Sequence, residues 1–308
     1  MIQRLAVPAL LIGTLACSRA DGGNETGFVA IEAPAFSADT AFAYLRQQVE
    51  FGPRVPGTPG HAQQIEWMTR FLRERADTVI IQPFTHTHTK SGKTLEMTNV
   101  FARFNPEAGT RVLLLAHFDT RPSADNDTEG VADQSIPGAN DGASGVAVLL
   151  ELANLLRREP APIGVDLLFV DGEDYGPTGA DMYLGAKYFA ANKPAGYRPL
   201  YGILLDMIAD KSPRYLVEGF SEQYAPEVVE RVWRLAENLG YGNYFVRTSQ
   251  GGISDDHVPL NQAGIRTIDI IDFDFPEWHT LDDDLDAVAP TGLGVVGTVL
   301  VNLIYRGG

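Results

Sequence analysis

The sequence predicts an α/β fold, a three-layer sandwich in which a largely parallel, mixed central sheet carries helices on both faces. Fully apolar runs at 112–116 and 165–170 are typical of central strands that are buried on both sides. Segments whose apolar residues have helical spacing alternate with these runs, as they do in βαβ units. The 308 residues, 44% of them hydrophobic, are sufficient for one large core.

The individual elements follow in order along the chain. Ser37 is a suitable N-cap for a helix over 38–51, and Thr58 begins a second helix whose first residue is proline. Residues 79–84 and 98–104 have the composition of strands and are expected to pair. The remaining predicted elements are central strands at 111–116, 165–170, 202–206 and 267–271, a short strand at 215–217, and helices ending near 156 and covering 182–191, 225–239 and 290–305.

Composition excludes one class of partner. The net charge is −16, whereas a nucleic-acid-binding surface requires clustered Lys and Arg. An acidic surface is compatible with cationic peptides as partners, and it is also a common solubility feature. The chain contains no internal repeat and no long low-complexity tract, so one domain of the size of a catalytic domain is the simplest organisation.

The first residues have the pattern of an export signal. Arg4 precedes a short apolar stretch over 5–15, which is too short to span a bilayer. Cys17, the only cysteine, follows this stretch directly and resembles the lipidated residue of bacterial lipoproteins, while an ordinary signal peptide cut nearby is the alternative. Cleavage at either kind of site would place the mature protein outside the cytoplasm, in the periplasm or cell envelope. Its contact with the membrane would be limited to a lipid on Cys17.

Three segments are therefore expected. Residues 1–16 form the signal peptide, and residues 17–36, which are polar and rich in glycine, form a tether. Residues 37–308 are expected to form a single domain. The sequence does not determine the oligomeric state.

Side chains of the kind that bind metal follow several predicted strands. Each one alone is more often a turn or helix cap, but unrelated caps would not all fall at the same end of successive strands. In open α/β sheets ligands bind beyond the carboxyl ends of the strands, and a set of His, Asp and Glu there is typical of zinc. The residues concerned are His117, Asp119, Asp141, Glu173, Asp174, Asp206 and His279.

Two neighbouring carboxylates, Glu173 and Asp174, come directly after a buried strand. Adjacent residues point in different directions, so one can hold a metal ion while the other faces the substrate. The second carboxylate can then act as a general acid and base.

The order of these residues resembles the zinc-dependent aminopeptidase superfamily and, within it, the animal-type glutaminyl cyclases that also occur in bacteria. Three segments indicate the cyclases: the loop RVPGTPG at 54–60, the stretch SDDHVPL at 254–260, and FPEWHT at 275–280. The last is one residue shorter than the corresponding cyclase segment. The resemblance extends from about Ser37 to Tyr305.

The resemblance implies a role for each matching residue. A single zinc ion would be held by Asp141, Asp174 and His279, with Glu173 as the proton shuttle. Asp174 stands where the vertebrate cyclases have Glu, which keeps an oxygen ligand on a shorter side chain. The remaining implied residues are Asp206 and Asp255 in an acidic catalytic network, and Trp278, Phe275 and Ile253 in the substrate pocket.

The implied reaction converts the N-terminal glutamine of peptides or proteins to pyroglutamate with release of ammonia. The alternative is a two-zinc aminopeptidase that releases N-terminal residues. His117 and Asp206 would hold its second ion, with Asp141 as the bridge. A third possibility is a lipid-anchored binding module without catalysis, although the presence of Glu173 and all three implied ligands argues against it.

Overall fold

The structure is a computed structural model that describes residues 32–127 and 131–307. The predicted signal peptide, Cys17 and most of the predicted tether lie outside the described residues. Within the described ranges no helix combines the length and the apolar character that crossing a membrane requires.

The described residues form eight α-helices, eight β-strands and one 3₁₀ turn at Gly179–Asp181. The helices are α1 (Ala38–Glu50), α2 (Pro59–Arg73), α3 (Ala143–Arg158), α4 (Leu184–Asn192), α5 (Gly219–Tyr224), α6 (Pro226–Asn238), α7 (His257–Gln262) and α8 (Pro290–Arg306). The strands are β1 (Thr78–Thr87), β2 (Thr94–Phe104), β3 (Arg111–His117), β4 (Gly164–Val170), β5 (Gly202–Asp206), β6 (Tyr215–Val217), β7 (Phe245–Ser249) and β8 (Thr267–Ile271).

Six strands form the central sheet in the order β1-β2-β4-β3-β5-β8. Strands β4, β3, β5 and β8 run parallel, while β2 pairs antiparallel with both β1 and β4. Strands β6 and β7 form a separate parallel pair. The predicted mixed, largely parallel sheet is confirmed.

Helices cover both faces of this sheet. Helices α1, α3 and α8 contact one another on one face, and α4 and α7 contact each other on the other. Alternate residues of β3 supply both cores: Leu114 packs into the larger apolar cluster, and Leu113 and Leu115 into the smaller one on the opposite face. The three-layer arrangement predicted from the sequence is therefore confirmed.

Three elements were not predicted: β7, α5 and α7. In β7 only Phe245 is buried, so the strand lacks the apolar run or alternation that reveals a strand in a sequence. Helices α5 and α7 have six residues each, which is too short for a helical period to be recognised.

The sheet topology determines where a ligand can bind. From β3 the chain moves to β4 on one side, then returns to β5 on the other side of β3. Such a reversal of strand order opens a crevice at the carboxyl ends of the strands. Strand β3 ends at His117 and β5 ends at Asp206, so both side chains lie at this crevice.

Helix α3 approaches the sheet closely at Gly145. A Cβ atom there would lie 2.2 Å from the carbonyl oxygen of Leu205 and 2.8 Å from Cβ of Ala116. These two residues directly precede Asp206 and His117. The missing side chain therefore allows the first turn of α3 to pack against the strands that carry both residues.

We predict that Gly145→Ala destabilises the fold by about 1–3 kcal/mol, because the added methyl group overpacks this contact. Urea unfolding of the metal-free protein measures the change. Gly109→Ala is the control, since a Cβ there meets no atom within 4 Å, and its stability should stay within about 0.5 kcal/mol of wild type. Equal stability of both variants would contradict the close contact.

Candidate metal centre

A cavity of about 440 Å³ lies at the carboxyl edge of the sheet. Its lining is rich in negative charge and contains most of the residues that the sequence singled out. The charged and histidine side chains that line it are Arg121, Asp125, Asp141, Glu173, Asp174, Asp206, Asp255 and His279.

The three predicted ligands converge in this cavity. Nε2 of His279 lies 3.3 Å from Oδ1 of Asp174 and 3.6 Å from Oδ2 of Asp141. Two ligand atoms about 2.1 Å from a tetrahedral zinc ion would be separated by about 3.4 Å. The other oxygen of Asp174, Oδ2, is buried and has no hydrogen-bond partner among the described residues. The donor set, its spacing and this free oxygen fit a zinc ion.

A second group of possible ligands shares Asp141 with the first. Nε2 of His117 lies 3.1 Å from Oδ1 of Asp206 and 3.2 Å from Oδ1 of Asp141. One ligand atom from each of these residues lies within 4.8 Å of the other two. The described residues therefore offer two adjacent sets of three ligands, with Asp141 between them.

Glu173 lines the cavity and is only 7% exposed. Burial, followed by the charge of Asp174, raises the pKa of Glu173 well above its usual value. Burial and then the charge of Asp206 raise the pKa of Asp255 to about 7. Both carboxyl groups therefore have environments that favour holding a proton, the property needed by a general acid.

The pKa values of the histidines are also raised by these charges, although burial acts on a histidine in the opposite direction. Burial would lower the pKa of His279, but Asp174 and Asp141 outweigh it and the pKa is raised. His117 behaves likewise beside Asp119, Asp141 and Asp206. The site therefore favours positive charge, which either imidazolium or a bound metal cation can provide.

Two buried carboxylates hold the turns that carry the candidate ligands. Asp119 accepts hydrogen bonds from the backbone N–H groups of Glu173 (3.0 Å) and Asp174 (3.2 Å). Asp283 accepts hydrogen bonds from the backbone N–H groups of Asn140 (2.7 Å) and Asp141 (3.1 Å). Asp119 was predicted from its place just past a strand end, whereas Asp283 was not predicted, because it lies in an acidic stretch that resembles a solvated loop.

Arg54, the first residue of the loop at 54–60, has a structural role. Its side chain is fully buried and donates to the carbonyl oxygens of Pro137 and Gly138, just before the turn that carries Asp141. Burial lowers the pKa of Arg54 to about 10 against the raising effect of Asp283, Asp141 and Asp119. This arginine therefore supports the ligand turn from behind and does not line the cavity.

Backbone strain is concentrated at the cavity. Four described residues other than glycine have positive φ, and three of them line the cavity: Tyr183 (58°), Met207 (45°) and His279 (58°). Each such conformation costs about 1–3 kcal/mol and persists only where the surrounding structure enforces it. The strained positions indicate that these side chains are placed for a function.

Aromatic side chains form one wall of the cavity. The ring of Trp278 lies 4.1 Å from that of His279 and 5.0 Å from that of Phe273. Ile253 also lines the cavity, as expected. Phe275 does not, because it packs behind the wall against Met207 and Ile271, and Phe273 occupies the position expected for it.

The sequence analysis also missed Arg121 and Asp125. Arg121 donates to Oδ1 of Asp174 (2.7 Å), and Asp125 lies 3.3 Å from Nδ1 of His279. Both are in a loop that follows β3, beyond the strand-end positions on which the prediction depended. Their i, i+4 spacing was the only available sequence signal.

The model of peptidase family M28 matches residues 99–304 of the chain. The chain belongs to peptidase family M28. The match includes every residue of both candidate ligand sets, together with Glu173, Asp255 and Trp278.

Proteins with different named activities are similar to the chain. Glutaminyl-peptide cyclotransferase from Bos taurus is 28% identical over 283 residues, covering 80% of this chain and 76% of that protein. The crystal structure of a Bacteroides thetaiotaomicron glutaminyl cyclase has a TM-score of 0.85 and 38% identity, covering 89% and 99% of the two chains. A Zn-dependent exopeptidase from Parabacteroides distasonis has a TM-score of 0.87 and 36% identity, covering 89% and 100%.

We predict that Asp283→Ala destabilises the metal-free M28 domain by about 2–4 kcal/mol, since it leaves two buried N–H groups without an acceptor. Denaturant unfolding measures the loss. Asp282→Ala is the control: its side chain is exposed, and its removal should change stability by less than about 0.5 kcal/mol. Equal effects of the two substitutions would show that Asp283 does not hold the ligand turn.

Proposed function

We propose that this M28 member is a zinc-dependent glutaminyl-peptide cyclotransferase, which converts N-terminal glutamine of peptides or proteins to pyroglutamate and releases ammonia. One observation carries the proposal: Asp141, Asp174 and His279 converge beside Glu173 in a cavity walled by Trp278. The similarity to cyclotransferases of animal and bacterial origin, over most of both chains, supports the same reaction.

Asp141, Asp174 and His279 would hold the zinc ion. When bound, zinc supplies a Lewis acid for the γ-carbonyl oxygen of the substrate glutamine. The fit of the three donor atoms and the free oxygen of Asp174 support this assignment. The zinc-dependent exopeptidase with the same fold supports the identity of the metal.

Glu173 transfers the proton that the reaction moves. It takes a proton from the α-amine as the nitrogen attacks the γ-carbon, and it delivers a proton to the departing amide nitrogen. The new C–N bond closes the ring, the γ-carbon–nitrogen bond breaks, and ammonia leaves. The position of Glu173 in the cavity lining, next to a ligand, supports this role.

The other cavity residues orient the substrate. Trp278, Phe273 and Ile253 provide an apolar wall that restricts the glutamine side chain, and ring closure requires the amine to be held close to the γ-carbon. Asp206 and Asp255 place carboxyl oxygens in the same cavity, which can accept hydrogen bonds from the N-terminus of a peptide.

A two-zinc aminopeptidase is the second candidate. The specific observation in its favour is the second ligand set of His117, Asp141 and Asp206, which the described structure brings within 4.8 Å. The cyclotransferase remains the better supported function, because the ring of Trp278 lies 4.1 Å from that of His279 at the cavity wall, and because cyclases are similar to the chain both in sequence and in structure.

We also propose that the protein is exported by the segment 1–16 and retained in the cell envelope through a lipid on Cys17. The charged start, short apolar stretch and single cysteine of the sequence support this proposal.

We predict that the purified protein removes ammonia from a Gln-initiated peptide, as measured by mass spectrometry. Chelation of zinc should abolish the activity, and added zinc should restore it. A peptide that begins with Ala serves as the control and should remain unchanged. Release of the whole N-terminal residue by protein that contains two zinc ions per chain would establish the aminopeptidase instead.

We predict that Glu173→Gln lowers kcat by about 10²–10⁴-fold, because it removes the group that moves the proton and keeps the shape of the side chain. Zinc content, measured by elemental analysis, should remain at the wild-type level. Glu66→Gln, at an exposed helix position, is the control and should retain full activity. Near wild-type turnover of Glu173→Gln would contradict the assigned role.

A further inference from the structure

Arg121 and Asp125 form a bidentate ion pair at the rim of the cavity. Nε of Arg121 donates to Oδ1 of Asp125 (2.8 Å), and Nη2 donates to Oδ2 (2.7 Å). Paired contacts between a guanidinium and a carboxylate fix both the distance and the orientation of the two groups. The pair is therefore a rigid unit.

Each member of the pair also contacts one candidate zinc ligand. Nη1 of Arg121 donates to Oδ1 of Asp174 (2.7 Å), and Oδ1 of Asp125 lies 3.3 Å from Nδ1 of His279. Nε2 of His279 in turn lies 3.3 Å from Oδ1 of Asp174. The four side chains form a closed ring in which the ion pair links two ligands from different parts of the chain.

The surrounding backbone keeps the pair in place. Gly176 lacks a side chain where a Cβ atom would lie 2.8 Å from Nη1 of Arg121, so it leaves room for the guanidinium. Asn126 donates its backbone N–H to the carbonyl oxygen of His279 (3.2 Å) and its side-chain amide to that of Trp278 (3.3 Å). The loop with the ion pair is therefore joined to the segment that carries His279.

We propose that Arg121 and Asp125 are positioning residues for the metal centre. Oδ1 of Asp125 lies 3.3 Å from Nδ1 of His279, where its negative charge favours the tautomer that carries the proton on Nδ1 and leaves Nε2 free to bind the ion. A carboxylate partner of this kind also increases the basicity of the ligating imidazole. Arg121 holds Asp174 and Asp125 in one arrangement. The inference rests on the proposed zinc site.

The pair is poorly suited to a purely structural role. The Arg121 side chain is 7% exposed and keeps its contact with Asp174, while the Asp125 side chain is 37% exposed, so water can replace much of what the Asp125 carboxylate contributes to folding stability. The contacts of the ion pair with the two candidate zinc ligands would matter far more to metal binding than to folding stability. A substitution in the pair should therefore separate these two properties.

The decisive variant is Asp125→Asn. The carboxylate has three donor groups around it, two from Arg121 and one from His279, and an amide offers only one acceptor oxygen. We expect zinc affinity, measured by competition with a chromophoric chelator, to fall about 10- to 100-fold. The unfolding midpoint of the metal-free protein should stay at the wild-type value.

Two further measurements test the assigned geometry. Arg121→Lys should also weaken zinc binding, because an ammonium group cannot make the paired contacts of a guanidinium. In cobalt-loaded protein, Asp125→Asn should change the visible absorption bands, which report on the ligand arrangement. The matched control is Glu227→Gln, which breaks the exposed Arg266–Glu227 pair (2.5 Å) and should leave zinc affinity and the cobalt spectrum unchanged.

The results distinguish this inference from the proposed reaction. Zinc affinity of Asp125→Asn within about twofold of wild type would overturn the inference, as would a lowered unfolding midpoint with unchanged affinity. Wild-type protein that binds zinc but releases whole residues would overturn the cyclotransferase and leave the inference standing. Wild-type protein that binds no zinc would overturn both.

Discussion

The main constraint on this structure is the convergence of carboxylates at one edge of the sheet. Asp141, Glu173, Asp174, Asp206 and Asp255 line one cavity and are all nearly buried. Burying several like charges is costly unless protons, paired cations or a metal compensate them. The raised pKa values of the neighbouring histidines are consequences of this charge, while burial and then the charge of Asp174 raise the pKa of Glu173. The same charge favours a bound metal cation.

Other residues around the site hold these mutually repelling carboxylates in place. Asp119 and Asp283 each bind two consecutive N–H groups in a ligand turn. Arg54 supports one of these turns from inside, and Gly145 allows α3 to pack directly against the strands. Such preorganisation uses folding energy to maintain a geometry that an isolated loop would not keep.

The shared position of Asp141 explains how one fold can serve both cyclases and exopeptidases. His117 and Asp206 complete a second ligand set on one side of Asp141, and Asp174 and His279 complete the first set on the other. The first set alone supports the Lewis-acid chemistry of ring closure, while both sets together fit a two-metal centre. The aromatic wall at Trp278 lies directly beside His279 of the first set.

The sequence by itself determined the fold class, the parallel strands and the convergence of His117, Glu173 and Asp206, because strand ends meet wherever such a sheet forms. It did not reveal Asp283 or the Arg121–Asp125 pair, and it expected Phe275 in place of Phe273 at the cavity wall. The positions of these side chains depend on loop conformations and on contacts between distant segments, which no local periodicity encodes. Only the tertiary structure sets them, since a loop side chain is placed by what packs against it.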